Sequence, residues 1–212
     1  MYTAYLFDFD LTLVDSSDAI AMCFNKTLAS LGRDTVPPDT VKRTIGLPMR
    51  VAVGKIIGTD NAAVIESFIQ SYQPFADRYM TDNTIFFPRT VATLTELKNR
   101  GAGIAIISSK TANRIAEKFE RERLAHLIDL IIGSKDVEKL KPAPDGINLA
   151  IKKLGLNREQ TIYCGDSIID AEAAQNAGLD FAAVTTGTTT ADELKKYPHK
   201  IIMRDIEEIL KL

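Results

Sequence analysis

Two aspartates close the first apolar segment of the chain, where Asp8 and Asp10 flank Phe9. Side chains two residues apart on an extended segment point to the same side, so we expect both carboxylates to face one crevice. Carboxylates buried this close repel each other unless a cation or a shared proton relieves the repulsion. An isolated Asp-x-Asp is common in solvated turns, but the apolar residues around this pair indicate the end of a buried strand. The sequence therefore predicts a carboxylate pair with a chemical role.

A second acidic cluster follows a later apolar run, in the sequence Gly165-Asp-Ser-Ile-Ile-Asp170. Asp166 stands where the run ends, and Asp170 falls four residues later, on the first turns of a predicted helix. Alone, Asp166 could be only a helix N-cap or dipole partner. Acidic clusters that end neighbouring parallel strands can together offer three oxygen ligands, and Mg²⁺ is satisfied by few carboxylates plus water and a phosphate oxygen. We therefore expect the two clusters to meet.

Two further segments carry groups that suit a phosphate. Ser108 and Ser109 end the apolar run from Gly103 and lead into a predicted helix, whose first N–H groups and hydroxyls can bind an anion. Lys141 precedes Pro142-Ala-Pro144 and another predicted helix, and the prolines restrict the backbone there. A lysine held in this way can project a fixed positive charge into the crevice, although either segment alone is a weak signal.

Short apolar runs alternate with amphipathic helical stretches along most of the chain. The predicted strands are Ala4–Phe9, Gly103–Ile107, Leu127–Ile132, Thr161–Cys164 and Phe181–Val184. They are almost continuously apolar, as strands covered on both faces should be, and helical spacing separates them. This alternation predicts an α/β fold with a doubly wound parallel sheet.

The alternation is interrupted by a stretch with helical spacing and no convincing strand. Residues 16–82 contain predicted helices near 17–31, 39–45, 49–57 and 61–79, with turn residues between them. We expect a small all-helical domain over 16–82, inserted after the first strand of a core formed by 1–15 and 83–212. It would stand over the carboxyl ends of the strands, where open α/β sheets bind ligands.

Composition excludes several classes of protein. The 212 residues are 45% hydrophobic and 25% charged, which is typical of a soluble globular protein. A net charge of −2 argues against a nucleic-acid or membrane-surface role, and the apolar runs are too short to span a bilayer. The first residues lack the pattern of a secretory signal, and Cys23 and Cys164 suit buried structural thiols. These features favour a cytoplasmic protein.

The four segments occur in an order that resembles the four motifs of the haloacid dehalogenase superfamily. The motifs are Asp8-Phe-Asp10-Leu-Thr-Leu13, the strand-terminal Ser108, Lys141-Pro-Ala-Pro144 and Gly165-Asp-Ser-Ile-Ile-Asp170. The helical insertion resembles the C1-type cap of that superfamily, and Gly46-Leu-Pro-Met-Arg50 is most similar to phosphoglycolate phosphatases. The resemblance covers essentially the whole chain and implies a Mg²⁺-dependent phosphatase that acts on a small phosphorylated metabolite.

The resemblance also implies a role for each motif residue. Asp8 is expected to be the nucleophile and Asp10 the general acid and base, while Ser108 and Lys141 hold the phosphoryl group. Asp8, the backbone carbonyl of Asp10, and Asp166 are expected to bind Mg²⁺. Asp170 is expected to support the metal site or orient Lys141. Ser109 is also expected to bind substrate, although it stands where the family often has asparagine, which weakens that assignment.

Other activities of the fold remain as alternatives. Dehalogenases lack the second acid of the first motif, and P-type ATPases carry lysine at the position of Asp10, so both are disfavoured. Phosphonatases need a cap lysine near Gly46, where this chain carries Met49 and Arg50, although Lys55 is close enough to leave that activity open. The main alternatives are a β-phosphoglucomutase-like mutase and an inorganic pyrophosphatase, although the helix from Ser17 to Leu31 lacks the histidine of the mutases. A non-catalytic phospho-ligand binding module would be expected to have lost Asp8 or Asp10.

The substrate is not specified by these motifs. Arg43 and Arg50 in the insertion are candidate contacts to a substrate carboxylate or second phosphate, although we favour solvated helix positions for both. His126 and His199, the only histidines, lie far from the motifs in sequence and are expected on the surface.

Overall fold

The computed structural model describes residues 1–212, which divide into two compact units. The first unit contains Met1–Val14 and Phe86–Leu212, and the second contains Asp15–Ile85. No helix is long and apolar enough to cross a membrane.

A six-stranded, wholly parallel sheet forms the centre of the first unit, with strand order β5-β4-β1-β6-β7-β8. The strands of the chain are β1 Ala4–Phe7, β2 Val14–Asp15, β3 Ile85–Phe86, β4 Gly103–Ile107, β5 Leu130–Ile132, β6 Thr161–Gly165, β7 Asp180–Val184 and β8 Ile201–Met203. The two short strands β2 and β3 form a separate two-stranded sheet. From β1, the chain adds β4 and β5 on one side and β6, β7 and β8 on the other. The strand order therefore reverses beside β1, and open α/β sheets bind ligands at such a point.

Helices cover both faces of the six-stranded sheet. They are α5 Thr90–Asn99, α6 Ala112–Arg121, α7 Asp145–Leu154, α8 Ile168–Ala177 and the short α9 Ala191–Leu194, with 3₁₀ helices at Ala125–Leu127, Arg158–Gln160 and Ile206–Lys211. Side chains of α5 and α6 pack with one face of the strands, and those of α7 and α8 pack with the other. Alternate strand residues therefore enter two separate hydrophobic layers, which is why the strands read as continuous apolar runs. The predicted doubly wound parallel sheet is confirmed.

The second unit is helical and has a hydrophobic core of its own. Its helices are α1 Ser17–Ser30, α2 Pro38–Lys42, α3 Met49–Ile57 and α4 Ala62–Tyr79. Phe24 of α1 packs on Phe68 and Tyr72 of α4, with ring centroids 5.5 and 5.0 Å apart. Such aromatic contacts add to the burial that holds a small helical unit together.

The sheet differs from the sequence-based expectation in several places, and β1 ends at Phe7 instead of the predicted Phe9. The predicted strand Leu127–Ile132 begins on the last residue of the 3₁₀ helix Ala125–Leu127, and only Leu130–Ile132 pairs as a strand. Asp129 interrupts the run because its carboxylate accepts a hydrogen bond from the N–H of Ile104 at 2.8 Å. The strand β8 was not predicted, since three apolar residues give no periodicity to recognise.

Candidate active site

The sheet register brings the ends of three central strands side by side. Phe7 lies opposite both Ile106 and Cys164, so the residues that follow β1, β4 and β6 share one edge of the sheet. Those residues include Asp8, Ser108 and Asp166. The N–H of Asp8 continues the sheet by donating to the carbonyl of Cys164 at 2.9 Å. The predicted meeting of the two acidic clusters therefore follows from strand pairing.

Three buried carboxylates converge at this edge. Oxygen atoms of Asp8, Asp166 and Asp170 all lie within 4.8 Å of one another. The one ammonium group in contact with them is that of Lys141, which lies 2.8 Å from Asp8 and 2.6 Å from Asp170. Three carboxylates against one ammonium leave buried negative charge, which is costly without a further cation. This set of hard oxygen donors fits a divalent metal ion such as Mg²⁺.

The pKa values of the cluster reflect the same imbalance. Burial raises the pKa of Asp8, Lys141 partly offsets that effect, and Asp170 raises it again, to about 7. Burial, followed by the carboxylates of Asp170 and Asp8, raises the pKa of Asp166 well above its usual range. The site as built thus opposes full ionisation of its own carboxylates, and a bound cation would reverse that preference.

Lys141 is fixed by a buried hydrogen-bond network. Its Nζ donates to Asp170 and to the hydroxyl of Tyr163 at 3.0 Å, and that hydroxyl also lies 3.1 Å from Asp170. Burial by itself lowers the pKa of Lys141, but the carboxylates of Asp170 and Asp8 outweigh burial and hold the pKa well above its usual value. Lys141 is therefore a permanent positive charge beside Asp8.

Asp170 is held by the start of its own helix. Ser167 caps α8 by accepting from the N–H of Asp170, and the Asp170 carboxylate accepts from the N–H and hydroxyl of Ser167. This capping box fixes the carboxylate that in turn holds Lys141. The contact agrees with the expected orienting role of Asp170, which stays a prediction.

Asp10 lies apart from the three converging carboxylates. Its side chain forms an ion pair with Lys110, whose Nζ lies 3.1 Å from Oδ1. The Asp10 carboxylate still interacts with Asp8, whose pKa it raises by a small amount. Coordination of Mg²⁺ by the backbone carbonyl of Asp10 remains a prediction.

The two serines after β4 differ in their surroundings. Ser108 is buried, its N–H donates to the carbonyl of Ile132, and its Oγ accepts from the N–H of Lys110 at 3.2 Å. Ser109 is half-buried. Ser108 therefore lies at the same edge as Asp8 with a fixed backbone, as its predicted contact to a phosphoryl group requires.

Several residues at the site were not predicted from the sequence. Thr12 donates to Oδ1 of Asp166 at 3.0 Å, Tyr163 bonds to Lys141, and Lys110 pairs with Asp10. Gly187, in the threonine-rich loop after β7, lies directly against the Asp166 carboxylate. The spacing of Thr12 within the first motif was a usable signal, whereas the others depend on packing between distant segments.

The contact at Gly187 yields a test of metal-site geometry. A β-carbon there would overlap Oδ2 of Asp166, so Gly187→Ala must displace that carboxylate. We expect about 10-fold weaker Mg²⁺ binding, measured by titration calorimetry, as for other changes that shift a metal ligand. Gly103→Ala is the matched control, because the nearest atom to its new methyl group would lie 3.6 Å away. Equal Mg²⁺ affinity in the two variants would contradict the placement of Asp166 at a metal site.

The arginines and histidines considered in the sequence analysis are exposed, whereas Cys164 is buried. Arg50 pairs with Glu66 while 62% of its side chain stays exposed, and Arg43 is exposed, in agreement with solvated helix positions. His126 and His199 are exposed. Burial raises the pKa of the Cys164 thiol, which therefore stays protonated and structural.

Comparison with known proteins places these features in a family context. Residues 5–184 match the haloacid dehalogenase-like hydrolase family. A phosphoglycolate phosphatase of Aquifex aeolicus is 30% identical over 186 residues, covering 86% of this chain and 84% of that protein. The pyrophosphatase PpaX of Oceanobacillus iheyensis is 29% identical over 205 residues, covering 97% and 94%. A crystal structure from Bacteroides fragilis, described as a haloacid dehalogenase-like hydrolase, superposes with a TM-score of 0.95 at 42% identity, covering 99% of this chain and 100% of that one.

Proposed function

The chain belongs to the haloacid dehalogenase-like hydrolase family and is one of its metal-dependent phosphatases, and we propose that it hydrolyses a small phosphate monoester through a phosphoryl group carried on Asp8. The observation that carries this proposal is the buried pairing of Asp8 with Lys141 at 2.8 Å, inside a cluster of excess carboxylates. A nucleophilic carboxylate needs a neighbouring positive charge because the phosphate that it attacks is itself an anion.

Different residues of the site offer different groups to bind that phosphate. Lys141 offers an ammonium group that stays charged, and Ser108 offers a hydroxyl at the same sheet edge. We propose Mg²⁺ as the metal, held by Asp8 and Asp166 with the backbone carbonyl of Asp10. When bound, Mg²⁺ supplies positive charge that keeps Asp8 ionised and stabilises the charge on the transferring phosphoryl oxygens. Ser109 is a second candidate hydroxyl contact.

The chemistry then proceeds in two displacements on phosphorus. A carboxylate oxygen of Asp8 forms a bond to phosphorus while the bond to the ester oxygen breaks, and Asp10 gives its proton to that leaving oxygen. Asp10 next takes a proton from water as the water oxygen attacks phosphorus and the bond to Asp8 breaks. Proton transfer of this kind contributes about 10²–10⁴ in rate. Inorganic phosphate leaves and both aspartates return to their starting states.

We propose that residues 16–82 serve as a cap domain for a catalytic core of residues 1–15 and 83–212. The helical unit has its own hydrophobic core, which supports an independent role. Arg43 and Arg50 remain candidate contacts to a second anionic group of the substrate. A cap closed during the first displacement would keep bulk water away from Asp8 while the ester reacts, as closing lids do in other enzymes.

A phosphoglycolate-like monoester is the substrate class that we propose first, because named phosphoglycolate phosphatases recur among the relatives. Inorganic pyrophosphate is the second candidate, since a relative of similar identity is a named pyrophosphatase. Helix α1 contains no histidine, which disfavours the mutase alternative. We place the reaction in the cytoplasm and expect no nucleic-acid or membrane partner.

A panel of substrates with defined metals tests this function. We expect phosphate release from 2-phosphoglycolate and other small monoesters with Mg²⁺, and at least about 10-fold slower release with Ca²⁺, which accepts more ligands in looser geometry. Chelation should stop release and lower the melting temperature, because a ligand that binds only the folded state stabilises it. Asp166→Asn should remove the Mg²⁺-dependent shift in melting temperature. Full activity in metal-free buffer would contradict the metal assignment, and preference for pyrophosphate would favour the second candidate.

A further inference from the structure

We propose that Lys110 is a positioning residue: it donates to Oδ1 of Asp10 and so holds that carboxyl group in place, while Oδ2 carries the proton that passes to the leaving oxygen. This inference rests on the acid and base role proposed for Asp10 and adds a second lysine to the site. Lys110 acts through Asp10, and it is distinct from Lys141, whose contacts are with Asp8 and Asp170.

The ion pair between Lys110 and Asp10 is buried. Their side chains are only 9% and 11% exposed, and Nζ lies 3.1 Å from Oδ1. The ion pair of Lys98 with Asp129, by contrast, leaves 27% and 35% of the two side chains exposed. Separating a buried pair leaves an uncompensated charge away from water, so its partners hold each other in place more strictly than those of a solvated pair.

The backbone of Lys110 is fixed on both sides. Its N–H donates to Oγ of Ser108 at 3.2 Å, and its carbonyl accepts from the N–H of Ser134 at 3.0 Å. Gly133 allows this fit, because a β-carbon there would lie 2.8 Å from the Lys110 carbonyl oxygen and would overlap the N–H of Ala112. The backbone from which the Lys110 side chain extends is therefore held by hydrogen bonds just before α6 begins.

The arrangement gives each aspartate of the first motif its own ammonium partner. Asp8 pairs with Lys141 from the loop before α7, and Asp10 pairs with Lys110 from the loop after β4. Without Lys110, the Asp10 carboxylate would lose this ion pair and with it one restraint on its position. A displacement of about 1 Å in a catalytic group can lower the rate by about 10²-fold, so loss of the restraint on Asp10 should be measurable as a slower reaction.

The first test compares leaving groups. Lys110→Met should lower kcat for alkyl phosphates by about 10–10²-fold with KM nearly unchanged, because only the transition state uses the placed proton. The rapid burst of nitrophenol from an activated aryl ester should change little, because its leaving group needs no proton. Lys110→Arg should recover part of the lost rate by restoring a cation. Lys118→Met is the matched control, since Lys118 is equally buried and pairs with Glu122.

The second test is a double-mutant cycle with Asp10→Asn. If Lys110 acts through Asp10, adding Lys110→Met to Asp10→Asn should cause no further loss in alkyl ester turnover. Independent losses that multiply, or an equal rise in KM for alkyl and aryl esters, would mean that Lys110 binds the phosphoryl group directly and would overturn the proposal. Thermal melts establish that each variant is folded. If methionine at position 110 prevents folding, Lys110→Gln takes the place of Lys110→Met in these comparisons.

The single variants also separate this inference from the proposed function. Leaving-group dependence in Asp10→Asn without any in Lys110→Met would overturn the positioning role alone. Absence of leaving-group dependence in Asp10→Asn would overturn the acid role of Asp10 and, with it, the role of Lys110.

Discussion

Asp8→Asn should reduce phosphate release by about 10⁴-fold or more while the protein stays folded. The amide of asparagine is a poor nucleophile, and it also loses the charge that a metal ion and Lys141 would neutralise. The fold should survive because Asn has nearly the same shape and Lys141 keeps its 2.6 Å contact with Asp170. Removing one charge from the crowded carboxylate cluster should even raise the melting temperature in metal-free buffer. Circular dichroism and a phosphate-release assay measure both effects.

A matched control for Asp8→Asn is Asp129→Asn. Asp129 also pairs with a lysine, but it precedes β5 and so lies at the opposite end of the strands from Asp8. We expect nearly full activity from Asp129→Asn, with a lower melting temperature from the lost bonds to Lys98 and Ile104. Activity of Asp8→Asn within 10-fold of the parent would refute the covalent mechanism.

The architecture could be predicted from the sequence wherever a single physical signal dominated. Strands buried on both faces must be apolar throughout, so β4 was predicted with its observed bounds. The apolar pattern did not predict the strand bounds where a polar side chain bonds to the sheet backbone, as Asp129 does to Ile104 before β5. It also missed β8, which has only three residues. Period alone cannot separate such short segments from turns or loops.

The site could be predicted only in part, for a related reason. Asp8 and Asp166 stand directly after strands whose pairing brings them together, so their proximity followed from topology. The contacts of Lys110 and Gly187 depend on how loops from distant strands close over the sheet edge. A lysine three residues after a strand and a glycine among threonines carry no such information in their spacing.

Asp10→Asn should separate the two displacements of the mechanism. For alkyl phosphates, whose leaving oxygen needs a proton, we expect kcat to fall by about 10²–10⁴. An activated aryl ester needs no such proton in its first step, so the burst of nitrophenol should be close to that of the parent. The second step still needs a base to take the proton from water, so the phosphoryl group should accumulate on Asp8.

The trapped phosphoryl group is the decisive measurement for Asp10. It should remain on the protein in acid and be released by hydroxylamine, as expected of a phosphate bound to a carboxylate. Asparagine is the better replacement here because it fills the space beside the buried Lys110, where alanine would leave a cavity. If the variant slows alkyl and aryl esters equally, with neither burst nor trapped phosphate, then Asp10 is a structural partner of Lys110 rather than a proton carrier. The nucleophile Asp8 and the metal site would survive that result, because neither depends on how the leaving oxygen gains its proton.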